Sequence, residues 1–290
     1  MAKTNKILVV ETVEELQLLI KTYKKDKKTV GFTPTLGALH EGHATLIRKS
    51  KKENDIAVCS IFVNPTQFNE KSDLKKYPRT FVADKKLLRS TGCDILFFPS
   101  EKEVYPNGSE YSVKVNLEGL NKRMEGAFRP GHFEGVVQVV HRLLEIVKPH
   151  RLYMGQKDFQ QFTIIQKMIE KLNIKTELVV CPIKRETNGL AMSSRNRRLP
   201  KSIRKNASIL FKTLKATKAN ISKEIPEDLC QFALHKLNIV DFKPEYFIII
   251  DGHTLKPIKS FKGIDYAVAC TAVWAGEVRL IDNMILKSKK

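Results

Sequence analysis

Short apolar runs alternate with amphipathic stretches through the first two-thirds of the chain. The runs are four to eight residues long, a length typical of strands buried on both faces of a sheet. They predict strands over residues 7–10, 29–33, 56–63, 95–98, 151–154 and 175–180. The stretches between them predict helices over residues 13–23, 42–53, 81–90, 136–147 and 159–172. Thr12, with Glu15 three residues on, is placed to cap the first helix. The alternation indicates an α/β fold with a parallel sheet covered by helices on both faces.

The pattern changes after about Thr187. Two helical stretches are followed by three strand-like runs, at residues 200–222, 226–238, 246–251, 267–273 and 277–281. Gly252 and Gly276 lie between the strand-like runs. We therefore expect a larger α/β domain over residues 1–186 and a smaller α+β domain over residues 187–290.

Residues 31–43 carry the strongest chemical signal: Gly-Phe-Thr-Pro-Thr-Leu-Gly-Ala-Leu-His-Glu-Gly-His. They predict a strand, a turn and the start of a helix. We expect Pro34 to end the strand, while Gly37 and Gly42 let the backbone approach a ligand. A helix N-terminus offers free N–H groups and partial positive charge, which favours a polyphosphate. Ligands of open parallel sheets bind at the carboxyl ends of the strands, where this turn is expected.

His40 and His43 are three residues apart, so both can project from the same side of the first helical turn. Two imidazoles there can donate hydrogen bonds to phosphate oxygens as negative charge shifts onto a leaving pyrophosphate. The same pair could instead be two structural histidines or the ligands of a transition metal. The glycines on either side and the strand-to-helix context favour phosphate binding.

A second motif follows the last predicted parallel strand, over residues 189–196: Gly-Leu-Ala-Met-Ser-Ser-Arg-Asn. The hydroxyls of Ser193 and Ser194 and the guanidinium of Arg195 can grip the outer phosphates of a nucleotide. Alone, the segment could equally be a turn that caps a helix. With the histidine pair upstream, it favours a loop that closes over a nucleotide.

The composition is that of an ordinary globular protein, with 42% hydrophobic and 28% charged residues. No apolar stretch approaches the roughly 20 residues that cross a bilayer, and residues 1–6 lead into no signal-peptide hydrophobic region. These features predict a cytoplasmic protein. The five cysteines are scattered singly, which favours reduced thiols over a zinc site.

The formal net charge of +20 is the extreme value of this sequence. It could serve a nucleic acid, a membrane surface or an acidic substrate such as ATP. The lysines are dispersed through every segment and do not form one stripe interleaved with aromatic residues. We therefore expect a solvated basic surface, with neither a nucleic-acid nor a membrane partner.

The His-x-Gly-His pattern resembles the signature of the nucleotidylyl-transferase superfamily, whose domains are Rossmann-like, and the Met-Ser-Ser-Arg-Asn segment resembles its second, mobile phosphate loop. From Thr33 to Arg198 the chain further resembles the pantoate–β-alanine ligase family. The blocks that carry this resemblance lie at residues 34–43, 60–68, 73–80, 128–133, 155–161 and 192–196.

The resemblance implies a two-step ligase, in which ATP first converts pantoate to pantoyl-adenylate with release of pyrophosphate. The amine of β-alanine then displaces AMP, and Mg²⁺ assists. His43 would be the general acid, His40 its partner, and Lys157 would stabilise charge at the reacting phosphorus. A homodimer is also implied. The implied ATP-binding residues are Leu36, Gly37, Ala38, Leu39, His40, Glu41, Gly42, His43, Gly155, Gln156, Lys157, Asp158, Lys184, Met192, Ser193, Ser194 and Arg195.

Gln67 and Gln161 are the expected pantoate ligands. Gln67 follows the predicted strand at 56–63, and Gln161 lies one turn into the helix after the strand at 151–154, so both point to the same rim. A neutral carboxamide can orient a carboxylate that must stay nucleophilic, whereas a bidentate arginine would stabilise its ground state. The alternative is two surface glutamines without a ligand. Residues 119–131 are either a flexible cover over the adenylate or an ordinary surface loop.

Three positions depart from the family pattern. Leu36 replaces a frequent methionine at similar volume, and Lys184, whose backbone would meet adenine, replaces a frequent apolar residue. The acidic cluster implied for magnesium is reduced, with Asp84 beside Ala83. Asp84 is the candidate metal ligand, and phosphates and water would hold most of the ion.

Two other functions remain compatible with the sequence. An adenylyltransferase of the same fold would join AMP to a phosphate ester, although it would need more basic groups than Gln67 and Gln161 provide. An RNA-binding protein would use the net charge of +20 and would bind with a steep dependence on salt.

Overall fold

The computed structural model describes residues 7–67, 75, 77–108 and 111–289. Residues 1–6, Phe68 and parts of the block at 73–80, on which sequence predictions fall, lie outside the described residues.

The chain divides into two compact units. Unit 1 comprises the described residues up to Gly155 together with Gln160–Cys181. Unit 2 comprises Gln156–Phe159 and the described residues from Pro182 onward. The sequence pattern places a boundary at residue 186 and gives no sign that residues 156–159 leave the first unit.

Unit 1 contains a six-stranded sheet in which every described pairing is parallel, as the alternating pattern predicts. Its strands are β1 (Leu8–Val10), β2 (Val30–Thr35), β3 (Ile56–Ile61), β4 (Ile95–Phe97), β5 (Arg151–Gly155) and β6 (Glu177–Cys181). Its helices are α1 (Val13–Lys25), α2 (Glu41–Glu53), α3 (Phe81–Thr91), α4 (Glu101–Val104), α5 (Glu125–Phe128), α6 (His132–Val147) and α7 (Phe159–Lys171), of which only Phe159 belongs to unit 2.

The centre of the sheet is covered on both faces, because all six residues of β3 are buried. The predicted cap of α1 is confirmed, since the side chain of Thr12 accepts a hydrogen bond from the Glu15 N–H. The expected end of β2 at Pro34 is wrong, because the strand continues to Thr35. Pairing with β5 stops at Phe32, so no hydrogen-bond ladder on that side requires the N–H that proline lacks.

The strand order is β1-β4-β3-β2-β5-β6. The chain therefore runs outward from β2 through β3 and β4, and later resumes on the other side of β2 with β5 and β6. The connections leaving β2 and β5 diverge, which opens a crevice at the carboxyl ends of those two strands. The turn that carries the histidine pair follows β2, so it lies at this reversal of strand order.

Unit 2 combines three helices with an antiparallel sheet in the order β7-β8-β9. The elements are α8 (Lys201–Asn206), α9 (Ile209–Ala219), α10 (Pro226–Leu237), β7 (Phe242–Asp251), β8 (Tyr266–Ala275) and β9 (Val278–Ser288). The single helical stretch predicted over residues 200–222 is broken at Ala207–Ser208. One apolar core joins the helices to the sheet, with Leu210, Leu214 and Leu229 among its buried members.

No described helix has the length and apolarity needed to span a lipid bilayer. All five cysteines are free thiols.

Candidate active site

The turn between β2 and α2 adopts left-handed backbone at two consecutive positions, Gly37 (φ 84°) and Ala38 (φ 51°). The left-handed conformation costs a non-glycine residue about 1–2 kcal/mol, so the turn needs support from its surroundings. A side chain at residue 37 would also lack space, since a Cβ there would lie 3.0 Å from Ile61 Cγ2. The sequence thus provides glycine at one strained position and alanine at the other.

Asp84, near the start of α3, supports this turn. Its carboxylate accepts hydrogen bonds from the Ala38 N–H at 3.0 Å, the Leu39 N–H at 2.8 Å and the Thr80 hydroxyl at 3.0 Å. The residue is only 2% exposed, so these three donors satisfy a buried charge. Both oxygens of Asp84 therefore bond within the protein and hold the turn, and its role as a magnesium ligand stays a prediction.

His40 and His43 cap the first turn of α2 for each other. His40 Nδ1 accepts a hydrogen bond from the Gly42 N–H at 3.1 Å, and His43 Nδ1 accepts one from the His40 N–H at 3.3 Å. The ring centroids are 4.0 Å apart. Because each Nδ1 is an acceptor, each neutral ring carries its hydrogen on Nε2. Both rings thus have a donor directed away from the cap, as phosphate binding requires.

Glu41, the first residue of α2, is ion-paired with Arg48 further along the helix. The arginine partly neutralises the one carboxylate in the first turn. The partial positive charge of the helix N-terminus therefore remains effective for an anion.

Gln67 lies on a short 3₁₀ turn, Pro65–Gln67, after β3. Its carbonyl oxygen is 2.8 Å from His132 Nδ1 at the start of α6. Only glycine fits at residue 135, where a Cβ would lie 2.4 Å from the Thr66 carbonyl oxygen. Close packing of α6 therefore fixes the backbone that carries Gln67.

Gln160, which precedes Gln161, holds a neighbouring segment in place. It is 2% exposed and donates to the carbonyls of Leu120 and Arg123 at 2.7 and 2.6 Å. Its side-chain oxygen accepts from the Glu125 N–H at 2.9 Å. Gln160 thus anchors residues 119–131, which contain a 3₁₀ turn and α5, whereas Gln161 is half-buried one position further along α7.

In unit 2, the segment Gln156–Asp158 carries Lys157, whose Nζ is 3.4 Å from Asp158 Oδ1. The segment has no helix or strand of its own and is held by Asn283 on β9. Asn283 Nδ2 donates to the carbonyls of Gln156 and Lys157, both at 2.9 Å.

The 184–196 loop of unit 2 folds back on itself. The Met192 N–H donates to the Lys184 carbonyl at 2.9 Å, so the backbone expected to meet adenine also closes the loop. Ser193 caps the 3₁₀ turn Ser194–Arg198 by accepting from the Arg195 N–H. The turn-capping interpretation of this motif therefore describes Ser193, and it leaves a phosphate-binding role for the neighbouring side chains as a prediction.

The described residues contain no group of three or more His, Cys, Asp and Glu side chains that could hold a metal ion. Sequence reasoning missed Asn283 and the positioning role of Asp84. Asp84 is 46 residues from Ala38, and Asn283 is 126 residues from Lys157. No local pattern could connect these pairs, although the buried polar residues inside apolar elements were a signal that they needed partners.

A parallel sheet with a reversal of strand order, and a histidine-capped helix N-terminus at that reversal, define a nucleotide-binding α/β protein of the nucleotidylyl-transferase type. A family model described as pantoate–β-alanine ligase matches residues 8–285. The chain belongs to the pantoate–β-alanine ligase family.

Its relatives cover it almost completely. A pantothenate synthetase of Azobacteroides pseudotrichonymphae is 47% identical, over 95% of this chain and 99% of the relative, and one from Bacteroides fragilis is 45% identical, over 96% and 99%. The crystal structure of pantothenate synthetase from Thermus thermophilus superposes with a TM-score of 0.90 at 37% identity, covering 97% of this chain and all of that one. The crystal structure of the Francisella tularensis pantoate–β-alanine ligase, complexed with β-γ ATP and β-alanine, superposes with a TM-score of 0.80 at 34% identity. The match covers 98% of this chain and 99% of that one.

Proposed function

We propose that this protein catalyses the ATP-dependent condensation of pantoate with β-alanine to pantothenate. It is an ATP-dependent ligase of its family, and the match over residues 8–285 is the observation that carries the choice of substrates. A carboxylate oxygen of pantoate attacks the α-phosphorus of ATP, and the bond to the β-phosphate breaks to release pyrophosphate. The amine nitrogen of β-alanine then attacks the acyl carbon, loses a proton and displaces AMP.

Residues 36–43 of unit 1 are proposed to bind the phosphates of ATP. The Nε2–H groups of His40 and His43 donate to oxygens on which charge accumulates as pyrophosphate leaves. His43 acts as general acid, with His40 as its partner. The geometry in support is the mutual cap, in which each Nδ1 accepts a backbone N–H, so that the hydrogen of each neutral ring is on Nε2.

Residues 155–158 are proposed to bind the ribose and α-phosphate of ATP, and the Lys157 ammonium to stabilise charge at the reacting phosphorus. The side chains of residues 192–195 bind the outer phosphates, with Arg195 supplying a planar fork of donors. Lys184 meets adenine through its backbone.

Gln67 and Gln161 are proposed to orient pantoate. Neither carries charge, so the carboxylate of pantoate remains nucleophilic. The packing of His132 and Gly135 of α6 on the Pro65–Gln67 turn supports this role, because it gives Gln67 a fixed backbone.

Mg²⁺ is proposed to arrive with ATP, held by phosphates and water. The side chains fit this better than a protein cage, because both oxygens of Asp84 already accept hydrogen bonds and the described residues offer no acidic cluster. We also propose that the protein is cytoplasmic and forms a homodimer. Light scattering during size-exclusion chromatography tests the dimer directly.

Exchange of labelled pyrophosphate into ATP tests the proposed first step. We expect exchange that requires pantoate, followed by AMP release when β-alanine is added. A product that retains the adenylyl group would instead support the adenylyltransferase alternative. Tight tRNA binding at physiological salt without ATP turnover would support the RNA-binding alternative and reject the ligase.

A further inference from the structure

Asn283 uses its entire side chain to hold the segment that carries Lys157. A carboxamide has two N–H donors and one carbonyl acceptor. The amide nitrogen donates to the carbonyls of Gln156 and Lys157, and the side-chain oxygen accepts from Gln156 Nε2 at 3.0 Å. Asn283 is 2% exposed, so its own side chain is shielded from water.

The strand position of Asn283 is itself fixed by a buried ion pair. Arg185 donates to the two oxygens of Asp282 at 2.6 and 3.0 Å, and Asp282 also accepts from the Asn283 N–H at 2.8 Å. Asp282 is 3% exposed. Burial raises the pKa of its carboxyl, and the guanidinium of Arg185 opposes that rise.

Arg185 also belongs to the 184–196 loop. Its guanidinium donates to the Gly189 carbonyl at 3.1 Å and lies 4.1 Å from the centre of the Phe211 ring. The loop and the Lys157 segment are thus attached to adjacent residues of the same strand, β9.

We propose that Asn283 is a positioning residue for adenylate formation, which acts by fixing the backbone of Lys157. The inference rests on the proposed function of Lys157. The segment Gln156–Asp158 has no regular structure, so the side-chain bonds of Asn283 take the place of a backbone ladder. The ammonium of Lys157 lies at the end of a long flexible side chain. A shift of the Lys157 backbone therefore shifts the positions that the ammonium can occupy. A misplacement of about 1 Å can cost on the order of 100-fold in rate.

The test compares Asn283→Asp with Asn283→Ser. Aspartate keeps the shape and the acceptor for Gln156 but sets an oxygen against two carbonyls, whereas serine retains one donor. We expect kcat for pantoate-dependent pyrophosphate exchange to fall about tenfold or more in Asn283→Asp and less in Asn283→Ser. KM for pantoate should change little in both.

Glu245→Gln is the matched control. Glu245 bonds Trp274 and Arg279 in the same sheet and has no proposed part in the site. This variant also exchanges an acid and an amide, so it should lower the melting temperature without lowering kcat. Arg185 variants are avoided because they would leave the buried charge of Asp282 unpaired.

Hydrogen–deuterium exchange without substrates gives a readout independent of activity. Peptides covering residues 155–160 should take up deuterium faster in Asn283→Asp than in wild type or Glu245→Gln. Unchanged uptake there, or wild-type kcat in both Asn283 variants, overturns the inference. Equal kcat losses in Glu245→Gln overturn it as well. Absence of exchange activity in wild type would reject the proposed function, while the deuterium result would still decide whether Asn283 holds the segment.

Discussion

In each histidine of the first α2 turn, the two ring nitrogens have different roles: Nδ1 serves the fold, and Nε2 is the nitrogen to which we assign the proposed chemistry. Nδ1 accepts a backbone N–H, and Nε2 carries the hydrogen that the proposed reaction needs. Alanine substitution removes both contributions at once. Shorter and longer carboxamides can separate them, because asparagine places its oxygen near the position of Nδ1 and glutamine places its amide near Nε2.

We therefore predict different outcomes for His43→Asn and His43→Gln. His43→Asn should keep the cap and the stability but lower pyrophosphate exchange on the order of 10²–10³-fold, as expected for loss of one oxyanion-type donor. His43→Gln should recover part of that rate. Pyrophosphate-exchange assays measure the rate, and urea denaturation measures the free energy of unfolding. Equal rates in the two variants would contradict the role of Nε2.

Asp84→Asn tests whether this carboxylate positions the turn or binds magnesium. The amide would face an N–H donor with its own NH₂ group, so we expect a loss of about 1.5–3 kcal/mol in unfolding free energy and slower exchange. The Mg²⁺ concentration that gives half-maximal rate should stay unchanged. A large increase in that concentration would restore the sequence-based assignment as a metal ligand. Thr80→Ala, which removes one donor without changing charge, should show a smaller loss.

At the scale of elements, periodicity predicted the six parallel strands and the five longer helices of unit 1, but not the one-turn helices α4 and α5. Burial on both faces of a sheet leaves continuous apolar runs. Periodicity did not predict where some elements end, because those ends are not set by the burial of apolar residues. Pro34 stays within β2 because β5 stops pairing at Phe32. The predicted helix over residues 200–222 breaks at Ala207–Ser208, where neither glycine nor proline marks a break.

The connection between α6 and β5 makes stability dependent on pH. His150 Nδ1 accepts the Val30 N–H at 2.9 Å, which requires a neutral ring. Burial, followed by the nearby Lys24, lowers the pKa of His150. At a pH between the two pKa values, the unfolded chain binds a proton at His150 that the folded chain does not. The free energy of unfolding therefore falls as the pH drops through about 6.5, the pKa of histidine in the unfolded chain.

His150→Asn should keep an acceptor for Val30 and remove this titration. We expect the difference in unfolding free energy between pH 7.5 and 5.5 to be smaller in the variant than in wild type, as measured by urea denaturation. An unchanged difference would show that His150 does not contribute to the acid sensitivity.

At the scale of the whole molecule, sequence motifs identified the residues proposed to touch ATP, but not those that hold them in place. His40, His43 and Lys157 belong to local patterns that chemistry can interpret. Asn283 contacts the Lys157 segment only in the folded unit 2, where β9 is an edge strand of the sheet.

The net charge of +20 should assist the capture of ATP in a manner that salt screens. The Debye length shortens from about 10 Å at 0.1 M to about 3 Å at 1 M ionic strength. We expect KM for ATP to rise as KCl increases, while KM for β-alanine, a zwitterion without net charge, stays nearly constant. Parallel increases in both constants would indicate a general effect of salt on the fold.

Residues 156–159 enter unit 2 from the middle of unit 1, so the chain crosses between the units at residues 155/156, 159/160 and 181/182. Gln156 leaves the ribosome 127 residues before its partner Asn283. The backbone beneath Lys157 must therefore wait for β9 to be synthesised before it acquires its hydrogen bonds. A fragment starting at residue 182 would lack the carbonyls that Asn283 binds, so the two units cannot be exchanged between relatives by a single cut.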